Sequence, residues 1–199
     1  MLTSWISGCE YISATMHLPA GYETTLEPQG RSLTVPTFID KRPFTHRIGL
    51  KRDFRGADTA NVAADGDVNE WVSLQVKRAL TAKGFQVVEL SKNPEVVRIQ
   101  GETLRVFIEQ VLKKWSYQLE ADLSVRIRVS RSDGLEAQRR YYVKAVKPAD
   151  FLFQTSSSTS DYEQVLQDAT RMLMSRITAD IVALLNRYPD QQPDGEGGK

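Results

Sequence analysis

Residues 115–130, WSYQLEADLSVRIRVS, alternate apolar and polar positions without a break. Trp115, Tyr117, Leu119, Ala121, Leu123, Val125, Ile127 and Val129 share one parity, and Ser116, Gln118, Glu120, Asp122, Ser124, Arg126, Arg128 and Ser130 the other. On a helix these apolar residues would circle the axis. On a strand they line one face and leave the polar set in water. Ser132, Asp133 and Gly134 then supply a turn into a partner strand, AQRRYYVKAV. A long hairpin with one apolar face sets the problem that the rest of the chain must solve, because something apolar has to cover that face.

Two segments have the period to do so. Val68, Val72, Val76 and Leu80, flanked by Trp71 and Ala79, form a helical stripe that opens at Asp67, an N-cap with Glu70 in the capping-box position. Lys83 and Gly84 close it. A second stripe, Tyr162, Val165, Leu166, Ala169, Met172, Leu173, Ile177, Ile181, Leu184 and Leu185, predicts a helix over 161–188, capped by Ser160 or a serine before it.

The remaining elements are strands. SLTVPTFIDKRPF gives a first strand around Leu33–Ile39, with Pro36 favouring an edge, and HRIGL extends or pairs with it. FQVVEL is another. VVRIQGETLRVFI, 96–108, slips parity between Ile99 and Leu104, which predicts a bulge at Gly101. Residues 51–67 read as a long exposed loop, residues 10–32, with Pro19, Gly21, Pro28 and Gly30, as a flexible tether, and 189–199 as a disordered tail. The resulting fold class is α+β: a mostly antiparallel sheet of about five strands with two long amphipathic helices packed on one face, in a single domain over 33–188.

Composition narrows the function more than it names it. The chain has 199 residues, 41% hydrophobic and 26% charged, and 26 Lys plus Arg against 25 Asp plus Glu leave a net charge of +1. Such balance provides no general attraction to nucleic acid, and Trp115 and Tyr117 share the core parity instead of offering stacking platforms on the polar face. Nucleic acid is not an expected partner. No apolar run approaches the roughly 20 residues of a membrane-spanning helix. The two histidines, His17 and His46, stand in no zinc or triad spacing, and no nucleophile elbow, phosphate loop or dinucleotide fingerprint occurs. The expectation is a protein without catalysis, cofactor or metal.

Two groups of residues are candidate binding sites. Asp40, Lys41 and Arg42 crowd beside Pro43 at the end of the first strand, either as a binding corner or as a charged cap on a sheet edge. Arg126 and Arg128 on the polar face, with Arg139 and Arg140 returning across the turn, form either a small basic patch for phosphate or carboxylate groups or a solvated face offset by Glu120, Asp122 and Glu136.

The single cysteine, Cys9, rules out an intrachain disulfide and sits in a segment with no periodicity to bury it. Ile6, Ser7 and Gly8 lead into it, and ISGC resembles the bacterial lipobox, in which the cysteine is lipidated and becomes the new N-terminus. Only MLTSWISG precedes Cys9, shorter than a basic and apolar leader needs, so residues 1–9 read as the remnant of a longer signal peptide. Glu10 is the next residue; by the sorting rule that this resembles, a residue other than Asp points to the outer membrane. DVNEWVSLQVKRALTAKGFQVV, VRIQGETLRVFI, the alternating strand and SDYEQVLQDATRMLMSRITADI are together similar to the YajG-like lipoprotein family over about 33–188. That resemblance implies a lipid-anchored periplasmic domain, with no established active site to carry over; together with Glu10 the expected place is the periplasmic face of the outer membrane. Its partners would be the membrane, through the anchor, and an envelope protein or cell-wall component; a homo-oligomer through the first strand's edge stays open. The alternatives are a soluble adaptor without lipid, and a small-ligand or polysaccharide-binding domain using a cleft between the 51–67 loop and the sheet.

Overall fold

The alternation at 116–130 does form one strand, and its odd residues Leu119, Leu123 and Ile127 are 1–2% exposed, each contributing roughly 1.5–3 kcal/mol by burial. In a computed structural model, residues 14–20, 30–52, 55–89, 91, 93, 95–113, 116–149 and 159–188 are described. The elements run β1 (Ala14–Met16), β2 (Ser32–Thr34), β3 (Ile39–Asp40), β4 (Gly49–Arg52), β5 (Asp58–Ala64), α1 (Val68–Thr81), β6 (Gln86–Val88), β7 (Val97–Lys113), β8 (Ser116–Ser130), β9 (Glu136–Ala149) and α2 (Thr159–Arg187).

The sheet corrects the expected one. Among the described residues it has nine strands and is mixed: β7, β8 and β9 form an antiparallel meander, while β2, β3 and β4 all pair parallel to β7 on its other side. The length of β7 makes this possible. Its 17 residues hold β8 along one edge and divide the other among three short strands, with Leu33 opposite Val97, Ile39 opposite Glu102 and Gly49 opposite Ile108. The α+β class stands; the mostly antiparallel, five-stranded sheet does not.

Two segments read as irregular also enter the sheet. Strand β5 lies in the expected 51–67 loop and pairs antiparallel with β4 and parallel with β1. Its sequence, DTANVAA, buries only Val62, so no apolar alternation announces it. Strand β1 lies within the expected tether and sends Met16 wholly into the core. The residues just after β1 are fastened too: Leu18 donates its backbone N–H to Asp65 at 3.1 Å, and the Trp71 indole donates to the Pro19 carbonyl at 3.0 Å.

His17 completes this clasp, its Nδ1 lying 2.5 Å from an Asp65 carboxylate oxygen. The hydrogen bond to Asp65 raises the His17 pKa above 6.5. A raised histidine pKa means that the contact contributes fully below the unfolded value and is lost as pH rises through the folded one. NMR titration should therefore place His17 above 6.5, with Asp65→Asn bringing it back toward that value; an unshifted wild-type imidazole would mean that this contact does not form in solution.

The helices follow their stripes. Asp67 caps α1 by accepting from the backbone N–H groups of Asn69 (2.7 Å) and Glu70 (3.1 Å), and Gly84, at φ 87°, takes the left-handed turn after it. In α2 the stripe is buried except that Leu184 is half-buried and Met172 is 41% exposed, with Met174 taking the core position. Arg31 and Arg131 grip the end of α2, donating to the carbonyls of Leu185 (2.8 Å) and Tyr188 (3.2 Å). Both helices share one core with the odd face of β8. Among the described strands β9 pairs only with β8, and midway along its free edge Arg176 of α2 donates to the Tyr142 carbonyl at 2.9 Å. Among the described residues no helix is long and apolar enough to cross a membrane.

The parity slip in β7 falls at Leu104, where register against β8 shifts between Thr103 and Arg105. Gly101 instead makes room for a neighbour, since a Cβ there would overlap the Phe38 ring, which lies across the strand. A polar flaw lies deeper. Gln75 is 1% exposed and, among the described residues, neither side-chain amide atom has a hydrogen-bond partner, beside a cavity of about 10 Å³ lined by Trp71, Val106, Thr170 and Leu173. Removing that cost should raise stability, so Gln75→Leu is expected to gain about 1–2 kcal/mol in urea unfolding. A loss would mean that the amide is paired in solution.

Candidate functional site

The corner at Asp40–Arg42 is built by a strand that ends early. Strand β3 pairs with β7 for two residues, and Lys41 donates its N–H to the Thr103 carbonyl at 2.9 Å before Pro43 turns the chain away. The Asp40 carboxylate takes the Arg42 backbone N–H (3.0 Å), Nε (3.0 Å) and Nη2 (2.7 Å). This is a two-pronged guanidinium–carboxylate pair, and it fixes an Arg42 side chain that is 5% exposed. The hydrogen bonds from Arg42 bring the Asp40 carboxyl down to about 2, against some resistance from burial, with a further hydrogen bond from Asn69 helping.

Arg42 faces a cleft of about 240 Å³. One wall is Asp40, Arg42, Thr45, His46 and Arg47; the other is the turn into α1, from Ala64 to Asn69. Arg47 is placed by a hydrogen bond from Nη1 to the Asn61 side chain (2.9 Å) and by the Phe44 ring beneath its guanidinium (4.7 Å); His46 stands edge-on to the same ring. Among the described residues, three buried wall atoms have no hydrogen-bond partner: Arg42 Nη1, Arg47 Nε and Asn69 Oδ1. Lys41 is exposed and does not line the cleft. With fixed donors and an acceptor, these walls are suited to holding a polar group.

The second candidate, the arginine patch, is divided and neutralised. Arg126 pairs with Glu102 (2.6 Å) and Arg128 with Glu136 (2.7 Å). Arg139 does not share their face: it stands opposite Ile127, on the helix side of the sheet, and pairs with Asp180 of α2 at 2.7 Å. Arg140 stands opposite Arg126 and donates to the Ser124 hydroxyl (3.2 Å). Farther along the polar face, Glu120 and Asp122 are 8% and 7% exposed, covered by Lys144 (2.6 Å from Glu120) and by the Tyr142 hydroxyl (2.6 Å from Asp122). This is an internally paired surface. Cys9 lies outside the described residues.

No protein-family model matches the chain, and a search of curated proteins finds no match. Among solved structures, a Xanthomonas campestris protein described by the family model DUF330 superposes with a TM-score of 0.61 at 10% identity, covering 88% of this chain and 98% of its own. The fold is shared. An uncharacterised protein superposes at 0.54 with 11% identity, covering 85% and 99%. A minor lipoprotein of Acinetobacter baumannii reaches 0.41 at 18% identity over 58% and 84%, an overlap on which no argument rests. At these identities the likeness to the DUF330 protein is one of fold alone.

The sequence pattern marks Asp40 and Arg42 but not His46, Arg47 and Asn69. Asn69 carries a signal, since it is a polar residue in the first turn of an amphipathic helix, two positions after its cap. Nothing local told that this turn meets the Asp40 corner. The expected 51–67 loop is largely strand, with β5 at Asp58–Ala64, and of that segment only its end, Ala64, Gly66 and Asp67, borders the cleft. A second, mainly apolar groove of about 210 Å³ runs between β9 and α2, over Ile127, Val129, Ile181 and Leu184.

Proposed function

We propose that this chain is the periplasm-facing domain of a bacterial outer-membrane lipoprotein, anchored through lipid on Cys9, and that it acts without catalysis by binding an envelope protein or cell-wall component. Support for the anchor comes from ISGC and from the resemblance to the YajG-like family. For binding, the observation that carries the reading is the cleft: a buried guanidinium braced by Asp40, with further unpaired donor and acceptor atoms in its walls.

The fold changes what the anchor would do. A tether over 10–32 would give long reach, yet β1 starts at Ala14, five positions after Cys9. At roughly 3.5 Å per extended residue that spans at most about 18 Å. The domain would be held close to the lipid surface, so its partner is one that lies at the membrane, met at a raised effective concentration.

The test is expression from a reading frame that includes the natural upstream sequence, followed by detergent partitioning and intact mass. The wild type should enter the detergent phase carrying acyl mass on Cys9, and Cys9→Ala should stay aqueous. An aqueous wild type with unmodified Cys9 would overturn the anchor and favour the soluble adaptor.

A further inference from the structure

The unpaired atoms of the cleft specify a ligand. Arg42 Nη1 and Arg47 Nε are donors on cationic groups, while Asn69 Oδ1 is an acceptor. Leaving such atoms unmade in a buried wall is costly, and more so for charged groups. Two guanidinium donors call for an anion; the amide oxygen calls for a neighbouring N–H. Asp40 and Asp67 also border the cleft, so a dianionic phosphate meets more repulsion there than a monoanion does. The volume of about 240 Å³ lies below the ~300–1,000 Å³ usual for drug-sized ligands, which suits one residue end and not an oligosaccharide.

We propose that this cleft binds the carboxylate end of an acylated amino acid or peptide, with Arg42 and Arg47 donating to the carboxylate and the Asn69 side-chain oxygen accepting from the adjacent amide N–H. The inference rests on the binding reading above and gives it a chemistry. Thr45 and His46, both exposed, also line the cleft, and for the ligand to reach the buried wall atoms these side chains must turn aside. The α1 N-terminus adds little directly, because Asp67 already occupies its first N–H groups.

The experiment is an amide NMR titration of the full chain with N-acetyl-L-alanine, with N-acetyl-L-alaninamide and inorganic phosphate as comparison probes. N-acetyl-L-alanine should move the amide resonances of residues 42, 44–47 and 67–70, and the amide, lacking the carboxylate, should not. Arg47→Gln, a half-buried position outside the Asp40–Arg42 pair, should keep the folded spectrum and weaken the response about tenfold or more. The proposal is overturned if no probe moves those residues, if the amide or phosphate moves them as well as the acid does, or if Arg47→Gln binds like the wild type. Lipidation of Cys9 is read by mass and partitioning, so either result can fail without the other.

Discussion

Asp40→Ala should destabilise the domain by about 2–4 kcal/mol in urea unfolding near neutral pH. Removing one partner of a buried ion pair strands the other, at a cost of about 3–5 kcal/mol when both are fully buried. The Arg42 side chain is 5% exposed but Asp40 is 23% exposed, which shifts the expected loss to the lower end of that range and somewhat below it. The same pair gives an acid-sensitive limb. The Asp40 carboxyl titrates near 2 in the folded chain against an ordinary 3.8, so its stabilisation is complete above about pH 4 and is lost as pH falls toward 2. Discounted for solvent screening, that difference amounts to about 1–2 kcal/mol. Melting temperatures taken between pH 2 and 5 should show this limb in the wild type and a flatter one in Asp40→Asn. Equal slopes, or an unaltered urea midpoint in Asp40→Ala, would mean that the pair does not brace the corner.

Gly49→Ala is expected to be more damaging, at about 3 kcal/mol or more. Gly49 is where β4 lies parallel against β7 and antiparallel against β5, and a Cβ there would overlap the Ile108 carbonyl oxygen. A backbone atom cannot swing away as a side chain can, so accommodation means parting β4 from β7. Because Arg47 leads directly into β4, the cleft should be disturbed along with the sheet. Circular dichroism and urea unfolding measure the effect; a variant as stable as the wild type would show that β4 sits farther from β7 than described. Gly101→Ala is expected to cost less, since the obstacle is the far end of the Phe38 side chain.

The features legible in the sequence were local. Alternation over 116–130, the turn at Ser132–Gly134 and the stripes beginning at Val68 and Tyr162 involve residues that interact within one element or across one tight turn, and each appears in the structure close to its expected place. Parallel pairing is different. Leu33 meets Val97 and Gly49 meets Ile108, contacts between residues far apart in the chain that leave no periodic trace in strands of two to four residues. The counterion for Arg139 was missed for the same reason, because Asp180 comes from a helix whose placement against β9 no local pattern reports. At the cleft, composition marked the Asp40–Arg42 wall, while the wall carrying Asn69 became its neighbour only through the tertiary fold.

The hydrogen bond from Arg176 to the Tyr142 carbonyl bears on how this protein behaves when crowded. A long edge strand is a template on which another chain can add, and β9 is 14 residues long. An incoming strand would have to evict Arg176 from the middle of that edge, then run past the charged Arg140 and Lys144 and past Pro148, which has no N–H to offer. Concentrating many copies on one surface therefore need not start sheet-to-sheet polymerisation, since the edge is interrupted at the point where an added strand would gain its central hydrogen bonds.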